Sequence, residues 1–291
     1  MVRFGVSSYS LWNAIRSGQM NILQAIEWIA DNGGEHMEVV PLDMKLEEDP
    51  TLVREIAAKA AEKGIALSNY AIGAEFAVGD DESFRKEIER VKRQVDVAHA
   101  LGMKLMRHDV ASVPPAEATL GRFMADFPRL VDACRQVADY ADTLGIVTSV
   151  ENHGYYVQAS ERVQALVEAV GRRNFRTTMD IGNFMCADEN SVVAVQRSVR
   201  NASMIHLKDF YSRSERANPG EGWFRSAGGN YLRGAIVGQG DIDMYEVLRI
   251  IKSSGYDGFI SIEFEGHEDC RYGTRVGLEN AKRIWNEIGN V

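Results

Sequence analysis

One pattern repeats along this chain: a short apolar run, a longer stretch with apolar residues at helical spacing, and then a glycine. The first run is Val2 to Val6, ending at Ser7 to Tyr9. Helical periodicity follows in Ile22, Leu23, Ile26, Ile29 and Ala30, with Asn21 placed to cap the start and Asn32-Gly33 to stop it. Runs two to four are His36–Val40, Ile65–Tyr70 and Lys104–His108, separated by helical stretches Thr51–Lys63 and Ser83–Leu101 that end at Gly64 and Gly102. A helix predicted from about Pro128, capped near Asp126, ends at Gly145, and Ile146–Glu151 is the fifth run. Ser160 opens a helix stopped by Gly171, and Phe175–Asp180 is the sixth. Ser191–Arg200 is helical, and Met204–Lys208 is the seventh. Asp243 caps a helix that ends at Gly255, Gly258–Glu263 is the eighth run, and Thr274–Ile288 is the closing helix.

Eight strand-then-helix units recur at intervals of roughly 30 to 40 residues, and the strands are short and continuously apolar rather than alternating. Strict alternation of this kind calls for a parallel sheet covered by helices, and eight units favour closure. The predicted fold class is therefore α/β, a single (β/α)8 TIM barrel domain over residues 1–291. No GxGxxG follows the first strand, which disfavours a dinucleotide-binding fold; Gly238-Gln239-Gly240 lies in a late loop and reads as a turn. One connection departs from the pattern. After strand seven, residues at about 209–240 form an elaborated glycine-rich loop, read as a lid or partner-contact loop because its aromatics and arginines argue against simple disorder.

Composition narrows the function. Net charge is −9 and pI about 5.3, so no electrostatic footprint for nucleic acid is present. No apolar run approaches the roughly 18 residues of a membrane span. The start lacks the apolar core of a signal peptide, and Cys134, Cys186 and Cys270 are too scattered for a disulfide framework or a CxxC site. The chain reads as cytoplasmic.

Four consecutive strands end in a side chain able to bind a metal: Glu151, Asp180, His206 and Glu263. A (β/α)8 barrel places its active site at those ends. Burying a carboxylate there is costly without compensation, and four such ends in succession point to one shared cation. Three carboxylates and an imidazole are a mostly hard ligand set, suited to Mn2+ or Mg2+, with Co2+ or Zn2+ also able to bind. Lys208 shares the face of His206, His153 that of Glu151, and His108 ends strand four; each is a candidate for substrate contact, its structural alternative being an ion pair or a packed core position. Trp12 and Tyr9 either stack on a substrate or fill the barrel mouth, Glu38 reads as a paired structural acid, and Glu265 and His267 read as solvated surface.

Val150-Glu151-Asn152-His153, Met179-Asp180-Ile181-Gly182-Asn183, Ile205-His206-Leu207-Lys208-Asp209 and Ser261-Ile262-Glu263 resemble the strand-end motifs of the xylose-isomerase-like TIM-barrel superfamily, in its sugar (phosphate) isomerase and epimerase branch. The resemblance covers essentially the whole chain. It implies one divalent metal on Glu151, Asp180, His206 and Glu263, with Glu151 and Glu263 also exchanging a proton with carbon on opposite faces of the substrate. The implied activity is isomerisation or epimerisation of a ketose or keto-sugar through a metal-stabilised enediolate. Asn183 stands where the epimerases commonly carry a histidine, so its substrate contact is an expectation of position only. The first alternative is a lyase or dehydratase eliminating a substituent from a keto-sugar, keto-glycoside or inosose. A non-catalytic sugar-binding protein and an endonuclease IV-like phosphodiesterase come further behind, the latter because the strand ends supply few histidines and the chain is acidic. The expected partner is a small sugar molecule, with a homo-oligomer expected from the resemblance alone.

Overall fold

Each apolar run becomes a strand. The computed structural model describes residues 1–77 and 79–289; Val78 lies outside them, as do the last two positions of the expected domain, Asn290 and Val291. In chain order the strands are β1 (Arg3–Ser7), β2 (His36–Val39), β3 (Ala66–Ile72), β4 (Leu105–His108), β5 (Val147–Glu151), β6 (Phe175–Asp180), β7 (Ala202–Leu207), β8 (Asp209–Arg213), β9 (Phe224–Arg225), β10 (Tyr231–Ala235) and β11 (Phe259–Ile262). Eight of them close into a parallel barrel in the order β1-β11-β7-β6-β5-β4-β3-β2. Closure matters for the site because it sets Asp180 of β6 opposite His206 of β7, and His206 opposite Ser261 of β11.

Most of the expected caps and stops form. Asn21 and Gln24 make a reciprocal capping box at the helix Ile22–Asp31. Gly64 and Gly171 take left-handed conformations at φ 70° and 61°, where a Cβ would be strained. Side chains alternate across the barrel wall. Along β7, Ile205 and Leu207 are fully buried in the apolar core under the helices, which leaves His206 and Lys208 facing the other way, into the barrel mouth. No helix among the described residues is long and apolar enough to cross a membrane.

Three expectations change. The helix leading to β5 runs from Leu120 to Asp142 rather than from Pro128, and its cap is Thr119, whose hydroxyl accepts the Arg122 N–H at 3.2 Å. Pro128 inside it lacks an N–H for the helix ladder, but the turns before it bury Phe123 and pack Phe127 against it, which offsets that loss. Asp126, the expected cap, instead accepts the Tyr156 hydroxyl at 2.6 Å. The closing helix begins at Cys270, not Thr274, because Asp269 accepts the N–H groups of Arg271 and Tyr272.

The third concerns the elaborated loop at about 209–240, which carries three short strands. Here β8, β10 and β9 form an antiparallel sheet, with Asp209 opposite Ala235 and Arg213 opposite Tyr231. Phe210 and Leu232 pack on Cys186 as a small second apolar cluster. The Asp209 carboxylate ties the sheet's base together by accepting N–H groups from Phe210, Gly238 and Gly240 at 2.9–3.0 Å. Asp188 accepts the Ser226 hydroxyl at 2.6 Å and the Asn230 amide at 2.7 Å, and the Tyr155 hydroxyl donates to the Arg225 carbonyl at 2.9 Å. These contacts make the insertion a wall fixed to the barrel loops.

Candidate active site

Four buried side chains converge at the carboxyl ends of β5, β6, β7 and β11. Glu151, Asp180, His206 and Glu263 each offer a ligand atom, and the four atoms lie within 4.8 Å of one another. His206 Nδ1 stands 3.7 Å from Glu151 Oε1, 3.9 Å from Asp180 Oδ2 and 3.7 Å from Glu263 Oε1. Those separations are too long for hydrogen bonds; His206 Nδ1 is a buried polar atom without a hydrogen-bond partner, and Asp180 Oδ2 has only the Lys208 ammonium, 3.2 Å away. An unpaired imidazole nitrogen facing three carboxylates fits a shared cation, which restores the compensation that burial removes.

The remaining atoms of these four side chains are held by the protein. Asp180 Oδ1 accepts the N–H groups of Gly182 and Asn183 at 2.8 and 2.9 Å, leaving Oδ2 to face the cavity. Asn152 brackets the Asp180 backbone, accepting its N–H at 2.9 Å and donating to its carbonyl at 2.7 Å, so the β5–β6 pairing extends one step to the site. His206 Nε2 lies 2.9 Å from the Glu38 carboxylate, which also accepts the Asn69 amide at 2.7 Å. A carboxylate on the far nitrogen fixes the ring and directs Nδ1 inward, as second partners of metal-binding histidines commonly do.

Two buried cations counter the negative charge. Arg107 Nε lies 2.6 Å from Glu151 Oε2, and a second guanidinium nitrogen lies 2.8 Å from Asp109. Lys208 Nζ lies 2.6 Å from Glu263, 3.2 Å from Asp180 and 3.2 Å from Glu265. Gly182 lets the lysine stem pass, since a Cβ there would approach Lys208 Cβ and its carbonyl oxygen to 2.8 Å. Burial pushes all three acids up, but Arg107 and His206 hold Glu151 well below the usual carboxylate range, and Lys208 holds Glu263 below it. Asp180, fully buried and facing both glutamates, is pushed up to about 7 despite Lys208. His206 is held well above the usual histidine range because Glu38, Glu263 and Glu151 outweigh its burial.

A cavity of about 160 Å³ opens over these groups, lined by Tyr9, Arg107, Glu151, His153, Lys208 and Glu263 among others. Residues 26–287 match the protein family described as xylose isomerase-like TIM barrel. The chain belongs to that family. It is similar to the inosose isomerase of Halalkalibacterium halodurans, 22% identical over 286 residues, or 92% of this chain and 91% of the relative. It is 25% identical over 170 residues to the inosose dehydratase of Bacillus licheniformis, covering 57% of this chain and 56% of that one. The D-psicose 3-epimerase of Clostridium cellulolyticum, solved with D-tagatose, superposes with a TM-score of 0.73 at 15% identity, over 97% of this chain and 99% of that one.

Within this xylose isomerase-like barrel the sequence-predicted residues separate into groups. Lys208 and His153 line the cavity with Glu151, His206 and Glu263. His153, half-exposed, sits 3.3 Å from Asp109, whose charge raises its pKa above the usual value against the effect of burial. Asn183 is buried behind the wall, donating to Glu151 Oε1 at 3.0 Å and accepting from Lys208 Nζ at 3.3 Å; it sets those two side chains. Trp12 lines a neighbouring cavity. His108 is not brought to the site. Its ring is fully buried against Phe76 and Phe175, Nδ1 bonds the Asp109 carbonyl at 2.7 Å, and burial lowers its pKa to about 4.

Arg107, Asp109 and the partnership of Glu38 with His206 escape sequence reasoning, and Glu265, read as surface, is exposed as expected and also lines the cavity. The available signal is a charge within the strand-four run, Arg107 between Met106 and His108. Glu38→Gln, which removes the charge orienting His206, is expected to lower affinity for Mn2+ by about 10- to 100-fold. Calorimetric titration checks it, and an unchanged affinity would mean that the contact is structural only.

Proposed function

We propose that the protein is a divalent-metal-dependent isomerase or epimerase of a ketose or keto-sugar, with Glu151 and Glu263 as its acid/base pair. The observation that carries this reading is the placement of the two glutamates. They reach one cavity from the ends of β5 and β11, three places apart around the barrel, each beside its own buried cation. A site that only bound a sugar would need no such pair. Glu151, Asp180, His206 and Glu263 would hold the metal, and their three carboxylates and one imidazole favour Mn2+, with Mg2+, Co2+ or Zn2+ as other occupants. When bound, the cation supplies Lewis-acid polarisation of a carbonyl and its neighbouring hydroxyl, which acidifies the intervening C–H.

The chain's own residues then divide the work. Arg107 and Lys208 keep the two glutamates ionised, so either can accept a proton from carbon on its side of the substrate. For epimerisation the opposite glutamate takes a proton from water and gives it to the other face of that carbon, while the first releases the abstracted proton to water. Lys208, His153 and Tyr9 present polar atoms to substrate oxygens from the cavity wall. The inosose and psicose enzymes to which the chain is similar support a polyhydroxylated carbonyl compound as substrate. The similarity to an inosose dehydratase favours a second reading, in which the same proton abstraction is followed by loss of a β-substituent.

Incubation with Mn2+ and a panel of ketoses and inososes in D2O tests both. Deuterium at the carbon beside the carbonyl is expected, with the isomeric sugar as product. Release of water or another leaving group would select the lyase. No exchange with any member of the panel would leave only sugar binding.

A further inference from the structure

We propose that the catalytic cavity continues past Tyr9 into a compartment for a second sugar ring, so that the substrate is a ketose carrying a glycosyl substituent. This rests on the isomerase reading and names its substrate class. Small-molecule sites commonly enclose roughly 300–1,000 Å³, and the inner cavity of about 160 Å³ falls short of that. A second cavity of about 240 Å³ adjoins it, and Tyr9 and Glu265 line both. The two compartments together come within the usual range.

The lining of the outer compartment has the chemistry of a sugar subsite. Trp12 and Phe264 give it aromatic surface, while Asn13, Tyr9 and Glu265 supply an amide, a hydroxyl and a carboxylate for ring hydroxyls. Such a wall suits the apolar C–H face and polar rim of a pyranose better than an aliphatic chain, which would leave the polar groups unpaired. The guanidinium of Arg16 lies 5.6 Å from the Trp12 ring, within cation–π distance. Ser10 makes the compartment rigid: its hydroxyl donates to the Ile262 carbonyl and accepts the Phe264 N–H, both at 2.9 Å, tying the turn after β1 to the end of β11.

The direction of the substituent follows from Arg107. A third cavity, of about 330 Å³, adjoins on the other side across Val40, Ala71 and Arg107. There the guanidinium is a fixed partition, its three nitrogens facing Glu151 at 2.6 Å, Asp109 at 2.8 Å and the Ile72 carbonyl at 3.0 Å. Displacing it would strip Glu151 of its counter-charge. Growth from the reacting ring is therefore directed toward Trp12.

Calorimetric titration in the presence of Mn2+, comparing D-fructose with maltulose and isomaltulose, two glucosyl-fructoses, decides the question. At least one disaccharide is expected to bind about tenfold more tightly than fructose, and Trp12→Ala to bring that ratio to about one. Trp12→Phe, which keeps an aromatic face, is expected to retain part of the ratio and guards against a folding defect. Equal affinities in the unmodified protein, no measurable binding of either disaccharide, or a ratio unchanged in Trp12→Ala would overturn the glycosyl compartment. The isomerase reading fails separately, by absence of deuterium uptake from D2O with fructose and both disaccharides, whatever the binding ratio.

Discussion

Glu151→Gln and Glu263→Gln are each expected to lower turnover by about 1,000-fold or more while lowering Mn2+ affinity far less. The amide keeps an oxygen that can face a bound cation, so the proposed cage of Glu151, Asp180, His206 and Glu263 loses one charge rather than one ligand atom. What it loses entirely is the ability to take a proton at carbon. The two variants need not be equivalent. Arg107 lies against Glu151 and Lys208 against Glu263, so each amide leaves a different buried cation without its nearest partner. Steady-state kinetics alongside calorimetric Mn2+ titration separates the roles. Activity close to that of the unmodified protein in either variant would remove that glutamate from the acid/base pair.

Lys208→Met is expected to be the most destabilising single change at the site. The lysine is only 3% exposed, and its ammonium is the common partner of Glu263, Asp180 and Glu265. Methionine fills much the same volume but leaves those carboxylates without their shared counter-charge. Breaking a buried ion pair by removing one partner costs about 3–5 kcal/mol. The loss should be largest in EDTA and smaller with excess Mn2+, because a cation that binds only the folded chain adds stability as its concentration rises above Kd. Urea denaturation midpoints under the two conditions measure this. An unmodified midpoint in EDTA would show that the carboxylates protonate or hydrate at little cost.

The two variants also differ in how far each could be foreseen. Both glutamates, with Asp180 and His206, stand out in the sequence because each ends a short apolar run followed by a helix and a glycine stop. Parallel barrels impose that order on every unit, and strand ends are where their chemistry sits. Lys208 is legible as a neighbour of His206 on the same strand face, but not as the common partner of three acids, one of which, Glu265, looks like surface. His108 shows the reverse error. Its position at the end of β4 matches that of the ligands, yet alternation turns it outward under Phe76 and Phe175, while its neighbour Arg107 enters the cavity.

What the sequence determined by itself is therefore local: which runs become strands, where helices start and stop, and which metal-capable side chains stand at strand ends. These follow from periodicity and caps that act over a few residues. Pairing across the barrel was decided only by tertiary structure. His206 meets Glu38 across 168 positions of sequence, and Ser10 ties β1 to β11 across 252. Closure brings the last strand against the first, so an inward-facing acid on β2 becomes the partner of an imidazole on β7. The sheet formed by β8, β9 and β10 belongs to the same class, since Phe210 and Leu232 have an apolar surface to cover only once Cys186 has been placed beneath them.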